Sequence, residues 1–123
     1  AGVVEAAVAA MAVDPSQLMA WLGPAIGPAA FEVGGEVREA YLAETRSGAE
    51  FAQVESCFLP RRGSGGRYCA DLYALARVRL QQAGVAAIYG GDCCTFSDTD
   101  RFYSFRRDGA TGRMASLVML RPA

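Results

Sequence analysis

At 123 residues the chain is one domain or part of one. Its 12 basic side chains against 13 acidic ones leave almost no net charge, which argues against nucleic acid or an acidic membrane as a partner. An apolar content of 52% is enough for a core, yet no apolar run reaches the length of a bilayer span.

Residues 1–12 are rich in Ala, Val and Met and predict a helix. Ala1-Gly2 offers no side-chain acceptor to cap it. Two readings follow: a frayed terminus, or a stretch cut from a larger domain. Asp14-Pro15 starts a short helical turn, with Asp as cap and Pro at the first position. Residues 19–22 read as a short apolar strand. Gly23-Pro24-Ala25-Ile26-Gly27-Pro28 breaks it. Glycines let backbone approach closely and prolines stiffen the path. Gly23, Pro24, Ile26 and Gly27 are therefore candidates for a rigid pocket wall; the alternative is a plain crossing between elements.

Residues 31–33 predict a second short strand and residues 36–44 a helix, ended by Ser47-Gly48. Residues 51–59 read as containing an extended piece. Residues 60–67 form a Gly-rich basic loop. Arg61 and Arg62 are its candidate phosphate contacts, set against the reading of a surface loop without a ligand. Residues 68–83 predict the longest helix. Leu72, Leu75, Ala76, Leu80 and Ala83 recur at spacings of three and four, and Gly84 stops it. Residues 85–89 then read as a buried strand, and helix followed at once by strand points to an α/β layer arrangement.

The last third carries the densest pattern. Gly90-Gly91 allows a tight bend, and Asp92-Cys93-Cys94-Thr95 sits at a strand end. Cys94 is either a site residue or a buried structural thiol. Residues 102–105 predict a strand, Asp108-Gly109 a hairpin turn, and residues 114–120 a returning strand buried on both faces. Arg106, Arg107 and Arg113 either contact an anion or pair with Asp92, Asp98, Asp100 and Asp108.

The four cysteines have no zinc-ribbon spacing and read as reduced thiols of a cytoplasmic protein. There is no histidine, so His-based triads and metal centres cannot be built from this chain alone.

Three stretches resemble a known family. They are Leu22-Gly23-Pro24-Ala25-Ile26-Gly27-Pro28 with Phe31-Glu32-Val33-Gly34; Asp71-Leu72-Tyr73-Ala74-Leu75-Ala76-Arg77 through Ala83-Gly84-Val85; and the run from Cys94-Thr95-Phe96-Ser97 through Arg101-Phe102-Tyr103-Ser104-Phe105-Arg106-Arg107-Asp108-Gly109 to Gly112-Arg113-Met114-Ala115-Ser116-Leu117. In order and character they resemble the YfiH-type, or laccase-domain, family, whose members also go by multicopper polyphenol oxidase-like proteins and purine nucleoside phosphorylases. Cys93 stands where that family's pattern is variable.

The resemblance implies an α/β (α+β) fold, a layered α-β-β-α sandwich with mixed sheets. It implies that residues 1–123 are the C-terminal part of a single laccase-type domain whose His, Cys and His metal ligands lie in an N-terminal half. The implied activity is phosphorolysis of adenosine, inosine and guanosine, with deamination of adenosine. The alternatives are a copper-dependent polyphenol oxidase and a non-catalytic structural half. The implied cofactor is zinc or copper in the full-length protein, with none on this chain alone. The implied partners are a purine nucleoside, phosphate and the missing N-terminal half, with no nucleic acid and no membrane.

Overall fold

A computed structural model describes residues 2–63, 65–119 and 121. Helix α1 (Val3–Ala10) leads through a 3-10 turn at Pro15–Gln17 into strand β1 (Met19–Leu22). Strand β2 (Glu32–Val33), helix α2 (Gly35–Leu42), helix α3 (Gly48–Ser56) and strand β3 (Phe58–Pro60) follow. Strand β4 (Tyr68–Ala70), helix α4 (Leu72–Gln82), strand β5 (Ala87–Gly90) and the short helix α5 (Phe105–Asp108) complete the order. The structure is mixed α/β, with β1 and β5 parallel and β2, β4 and β3 forming an antiparallel sheet in that order. Among the described residues, no helix is long and apolar enough to cross a membrane.

The core sits where α4 and α3 meet the antiparallel sheet. Leu75 and Val78 of α4 and Val54 of α3 close on Val33, Phe58 and Ala70. Most of this is burial of branched aliphatic and aromatic surface, the main favourable term in folding. Helix α4 starts at its aspartate: the Asp71 side chain accepts from the Ala74 N–H at 2.9 Å. Gly84, at φ +90°, ends it in the left-handed conformation that a β-carbon disfavours. Residues 68–70, expected to open this helix, instead pair as β4 between β2 and β3.

Arg79 of α4 is partly buried and ion-paired to Glu5 at 3.3 Å and Glu44 at 2.6 Å, tying α1 and the turn after α2 to α4.

Two expectations are corrected. Ser47-Gly48 does not close an element but opens α3: the Ser47 hydroxyl accepts from the Glu50 N–H at 3.1 Å, and the Glu50 carboxylate reaches back to the Arg46 N–H at 2.7 Å. The first bond is a helix N-cap and the second ties down the residue before it; α3 takes residues 51–56 of the 51–59 stretch, and the extended piece expected there is β3 at its end. The expected hairpin after residue 102 is also absent. Ser104 accepts from the Arg107 N–H at 3.3 Å and starts α5 where a strand was expected. Residues 111–119 then run on as neither helix nor strand, with Leu117 and Met119 both 89% exposed. The expected burial of residues 114–119 is not found, because no strand among the described residues pairs with them; Leu120, like Ala1 of the first expected helix, lies outside the described residues.

Two substitutions test this frame by denaturant unfolding. Asp71→Ala should lower stability by about 1 kcal/mol through loss of the α4 cap. Leu75→Ala should lower it by about 2–5 kcal/mol through the cavity it leaves. An unchanged midpoint for Leu75→Ala would contradict the assigned core.

Candidate functional site

Parallel strands place their carboxyl ends side by side, and in α/β sheets ligand crevices open there. Met19 lies opposite Ala87 and Leu22 opposite Gly90, so β1 and β5 end together. Each strand runs directly into one of the loops singled out in the sequence. Gly90 and Gly91, at φ +74° and +83°, make the bend after β5.

The two loops are sewn to each other by backbone. The Gly91 N–H donates to the Leu22 carbonyl at 3.1 Å, and the Thr95 N–H donates to the Ala25 carbonyl at 2.9 Å. The Gly27 N–H points at the Cys94 thiol sulfur at 3.2 Å. A β-carbon on Gly27 would sit 3.1 Å from the Cys94 Cβ and 3.2 Å from its sulfur, so any larger residue would push the Cys94 side chain back by a few tenths of an ångström. Beneath both loops lies Tyr73, from the first turn of α4 and 6% exposed. Its hydroxyl accepts from the Ala25 N–H at 2.7 Å and donates to the Cys93 carbonyl at 2.9 Å. Burial pushes the Tyr73 phenol up, so the hydroxyl keeps the proton it donates. Arg77, one turn further along α4, donates to the Gly90 carbonyl at 2.6 Å.

Cys94 is the chemically distinctive group here. Burial alone would raise its pKa. The Ser97 hydroxyl and the N–H groups of Gly27, Ser97 and Phe96 outweigh that and bring it down to about 7. Cys57, in the core, shows the opposite case: burial pushes its thiol up, and nearby Asp71 adds to the effect. A group titrating at about 7 can give or take a proton at physiological pH.

Cys94 itself lines an open hollow of about 410 Å³ with Ser97, Asp98, Thr99 and Asp100; a separate cleft of about 390 Å³ is lined by Pro24, Arg101, Phe102, Met114, Ala115 and Ser116. Gly23 forms its neighbouring wall, since a β-carbon there would meet the Trp21 ring at 3.3 Å and the Ser116 hydroxyl at 3.4 Å. Arg101 is paired to Asp98, with Nε 2.5 Å from the carboxylate. That pairing holds Asp98 below the usual carboxylate range.

The sequence candidates thus fall into separate groups. Gly27 and Cys94 touch, Gly23 and Pro24 border the cleft, and Ile26 is half-buried in the same loop. Arg107 is spent on structure. Its guanidinium donates to the carbonyls of Thr95 at 2.9 Å, Phe96 at 3.0 Å and Phe102 at 3.0 Å, and it clasps Asp108 at 2.8 and 2.9 Å. All five of its N–H groups are engaged. Arg106 and Arg61 meet instead at Glu32 of β2. Arg106 donates to the Glu32 carbonyl at 3.3 Å and lies over the Phe31 ring, while Arg61 pairs with the Glu32 carboxylate. Arg67 joins them at 3.2 Å, and Arg62 is exposed on the same loop.

Sequence reasoning missed Tyr73, Ser97 and Arg101 as parts of this region. Tyr73 carried a usable signal, because a tyrosine buried at a helix start needs a partner for its hydroxyl. Ser97 lies three residues past Cys94, within reach of a single turn.

Comparison with known proteins identifies the class. Residues 1–121 match the family described as multi-copper polyphenol oxidoreductase laccase, and the chain belongs to it. Among its relatives, a purine nucleoside phosphorylase of Pseudomonas aeruginosa is 55% identical over 98% of this chain and 47% of its own length. The purine nucleoside phosphorylase YfiH of Escherichia coli is 50% identical over 98% of this chain and 46% of its own length. The chain therefore spans about half the length of the curated relatives it matches. A crystal structure of a Neisseria meningitidis protein superposes with a TM-score of 0.79 at 46% identity, covering 90% of this chain and 43% of that one. YlmD from Geobacillus stearothermophilus superposes at 0.69 with 29% identity, covering 89% of this chain and 40% of that one.

The family description implies copper. The donors present do not fit such a centre by themselves: the sequence has no histidine, and among the described residues no three Cys, Asp or Glu side chains converge.

Thiol chemistry tests the geometry. Alkylation of Cys94 by iodoacetamide should rise steeply through pH 7, reaching half its plateau at about 7, while Cys57 stays inert in the folded protein. Ser97→Ala should move the Cys94 midpoint upward. A Cys94 midpoint at the ordinary thiol value of about 8.5 would contradict the arrangement.

Proposed function

We propose that this chain is the C-terminal part of a larger catalytic domain that cleaves purine nucleosides with phosphate, in the cytoplasm. Support for the reaction comes from the relatives that carry the purine nucleoside phosphorylase name at 50–55% identity. Support for a role of these residues comes from one observation: Cys94, with a pKa of about 7, lies at the joined ends of β1 and β5.

Phosphorolysis breaks the bond between ribose C1′ and the purine nitrogen and forms a bond from C1′ to a phosphate oxygen. The departing purine needs a proton, and the phosphate needs positive charge or N–H donors nearby. On this reading the Cys94 thiol gives its proton to the departing purine, and the thiolate left behind is held by the N–H groups that surround it. The thiol is then restored by a proton from water. The cleft bordered by Pro24, Phe102 and Ser116 takes part of the nucleoside. Phosphate and any zinc or copper are held mainly by polypeptide beyond this chain, with Arg61 and Arg62 the phosphate contacts this chain could add. Adenosine, inosine and guanosine are the substrates to try first, and adenosine deamination the side reaction to monitor.

The test uses this chain joined to the part of the Pseudomonas aeruginosa relative that it does not match. Release of hypoxanthine from inosine should depend on phosphate. The rate should fall as pH rises through about 7, because only the protonated thiol donates. Cys94→Ser should lower kcat by about 10²-fold or more, the range of general acid catalysis, and remove that limb of the profile. A Cys94→Ser protein with the unaltered rate and profile would overturn the role of Cys94. Dioxygen uptake with a polyphenol, and no phosphate-dependent base release, would overturn the reaction.

A further inference from the structure

Two thiols at the site share one peptide bond. Cys93 and Cys94 are adjacent, half-buried and free, and Cys94 opens onto the hollow it lines with Ser97, Asp98, Thr99 and Asp100. The two are chemically unequal. The Cys94 sulfur receives the Gly27 N–H at 3.2 Å and lies 3.4 Å from the Ser97 hydroxyl. Such contacts favour the thiolate, and Cys94 titrates at about 7. Cys93 instead donates its S–H to the Asp92 carboxylate at 3.7 Å. A thiolate is the form that peroxides oxidise, and a second thiol beside it converts the sulfenic acid into a disulfide.

The peptide between these two residues is also the one that Tyr73 holds. Its carbonyl is that of Cys93, which accepts from the Tyr73 hydroxyl at 2.9 Å. Neighbouring Cα atoms stand only about 3.8 Å apart, less than the ~4.4–6.8 Å that a disulfide usually spans. Closing a ring on adjacent cysteines therefore twists the joining peptide, and the Cys93 carbonyl is drawn off the Tyr73 hydroxyl. A bridge strained in this way is easily reduced, which suits a reversible change rather than a permanent staple.

We propose that Cys93 and Cys94 form a peroxide-responsive pair, in which oxidation of Cys94 is followed by closure of a Cys93–Cys94 disulfide that releases the Tyr73 hydroxyl from the Cys93 carbonyl. In the first step the Cys94 thiolate attacks one oxygen of hydrogen peroxide. The O–O bond breaks, the sulfur becomes a sulfenic acid, and the departing hydroxide takes a proton from solvent to leave as water. In the second step the Cys93 sulfur attacks the Cys94 sulfur and the S–O bond breaks. The departing hydroxide becomes water with the proton that Cys93 gives up, and the Asp92 carboxylate beside Cys93 is placed to pass that proton on. A dithiol reverses the change, being oxidised to its own disulfide as both thiols return. Nothing in this chemistry rests on the phosphorolysis reading.

The experiment treats the purified chain with equimolar hydrogen peroxide, blocks the remaining thiols with iodoacetamide in denaturant, and reads tryptic peptides by mass. Cleavage after Arg79 and Arg101 leaves Cys93 and Cys94 together in one peptide, with Cys57 and Cys69 in two others. The peptide of residues 80–101 should lose two hydrogens and take up no iodoacetamide, at least about tenfold faster than Cys57 is oxidised in the core. Dithiothreitol should then restore both thiols. Cys93→Ser should give no bridge, and its Cys94 sulfenic acid should be trapped by dimedone. Tyr73→Phe leaves the Cys93 carbonyl untied, so half-reduction of its bridge should need about threefold more dithiothreitol or above. A disulfide from Cys94 to Cys57, to Cys69 or to a second chain would overturn the proposal. So would further oxidation of Cys94 with Cys93 still reduced, or Cys57 oxidised as fast as the pair. An unchanged dithiothreitol requirement in Tyr73→Phe would overturn the link to Tyr73. Bridge formation in a protein without phosphorolysis would count against the catalytic reading alone.

Discussion

The site depends on one phenol. The Tyr73 hydroxyl bonds to the Ala25 N–H on the loop after β1 and to the Cys93 carbonyl on the loop after β5. These loops are far apart in sequence and have no regular structure to hold them. A buried hydroxyl that satisfies a donor on one and an acceptor on the other fixes their spacing, because leaving either group unpaired in the interior costs about 1–3 kcal/mol. The spacing in turn brings the Gly27 N–H onto the Cys94 sulfur. Fold and chemistry are coupled at this point: α4 is rooted in the core through Leu75 and Val78 and extends its first turn under the site.

The acidity of Cys94 follows from that spacing. Its sulfur collects backbone N–H groups from both loops, and the contribution from Gly27 exists only while the loops stay clamped. The same logic explains the glycines. Gly27 favours the close approach to Cys94, and Gly91 is needed for a left-handed bend that also leaves room for the Tyr73 ring. Arg107 plays a matching part on the far side, where its fork gathers three carbonyls of the 95–102 stretch into one turn. Arginine suits this because its donors are planar and remain charged at any working pH. An anion would have to displace protein ligands to reach it.

How far the sequence could be read depended on whether a local signal agreed with its surroundings. β1 was legible in full from residues 19–22, because an apolar run between a helical turn and Gly-Pro has few alternatives. The end of α4 was legible from Gly84. Its start was not. Tyr68 to Ala70 look helical in isolation but are claimed by β2 and β3 on either side, a tertiary demand that propensity does not carry. The helix α3 was hidden by reading Ser47 as a terminator when Glu50, three residues on, makes it a cap. The aromatic run at Phe102 to Phe105 misled for the same reason, since Ser104 caps a helix there. The apolar stretch at 114–119 shows β character in sequence but has no partner strand among the described residues, so pattern alone misplaced it. Of the site, the Gly-Pro loop and Cys94 stood out by composition. The tyrosine that joins them did not, because its role is a contact across 48 positions of sequence.

The clamp makes a sharp demand on amide exchange. The Gly27 and Thr95 N–H groups belong to different hydrogen bonds on different loops, yet both depend on the Tyr73 hydroxyl for their geometry. Hydrogen–deuterium exchange of these two amides in Tyr73→Phe, compared with the unaltered protein, is the most direct measurement. The account expects both to lose protection together while the α4 amides at Leu75 and Val78 keep theirs. Undiminished protection at Gly27 and Thr95, or loss at one without the other, would contradict it.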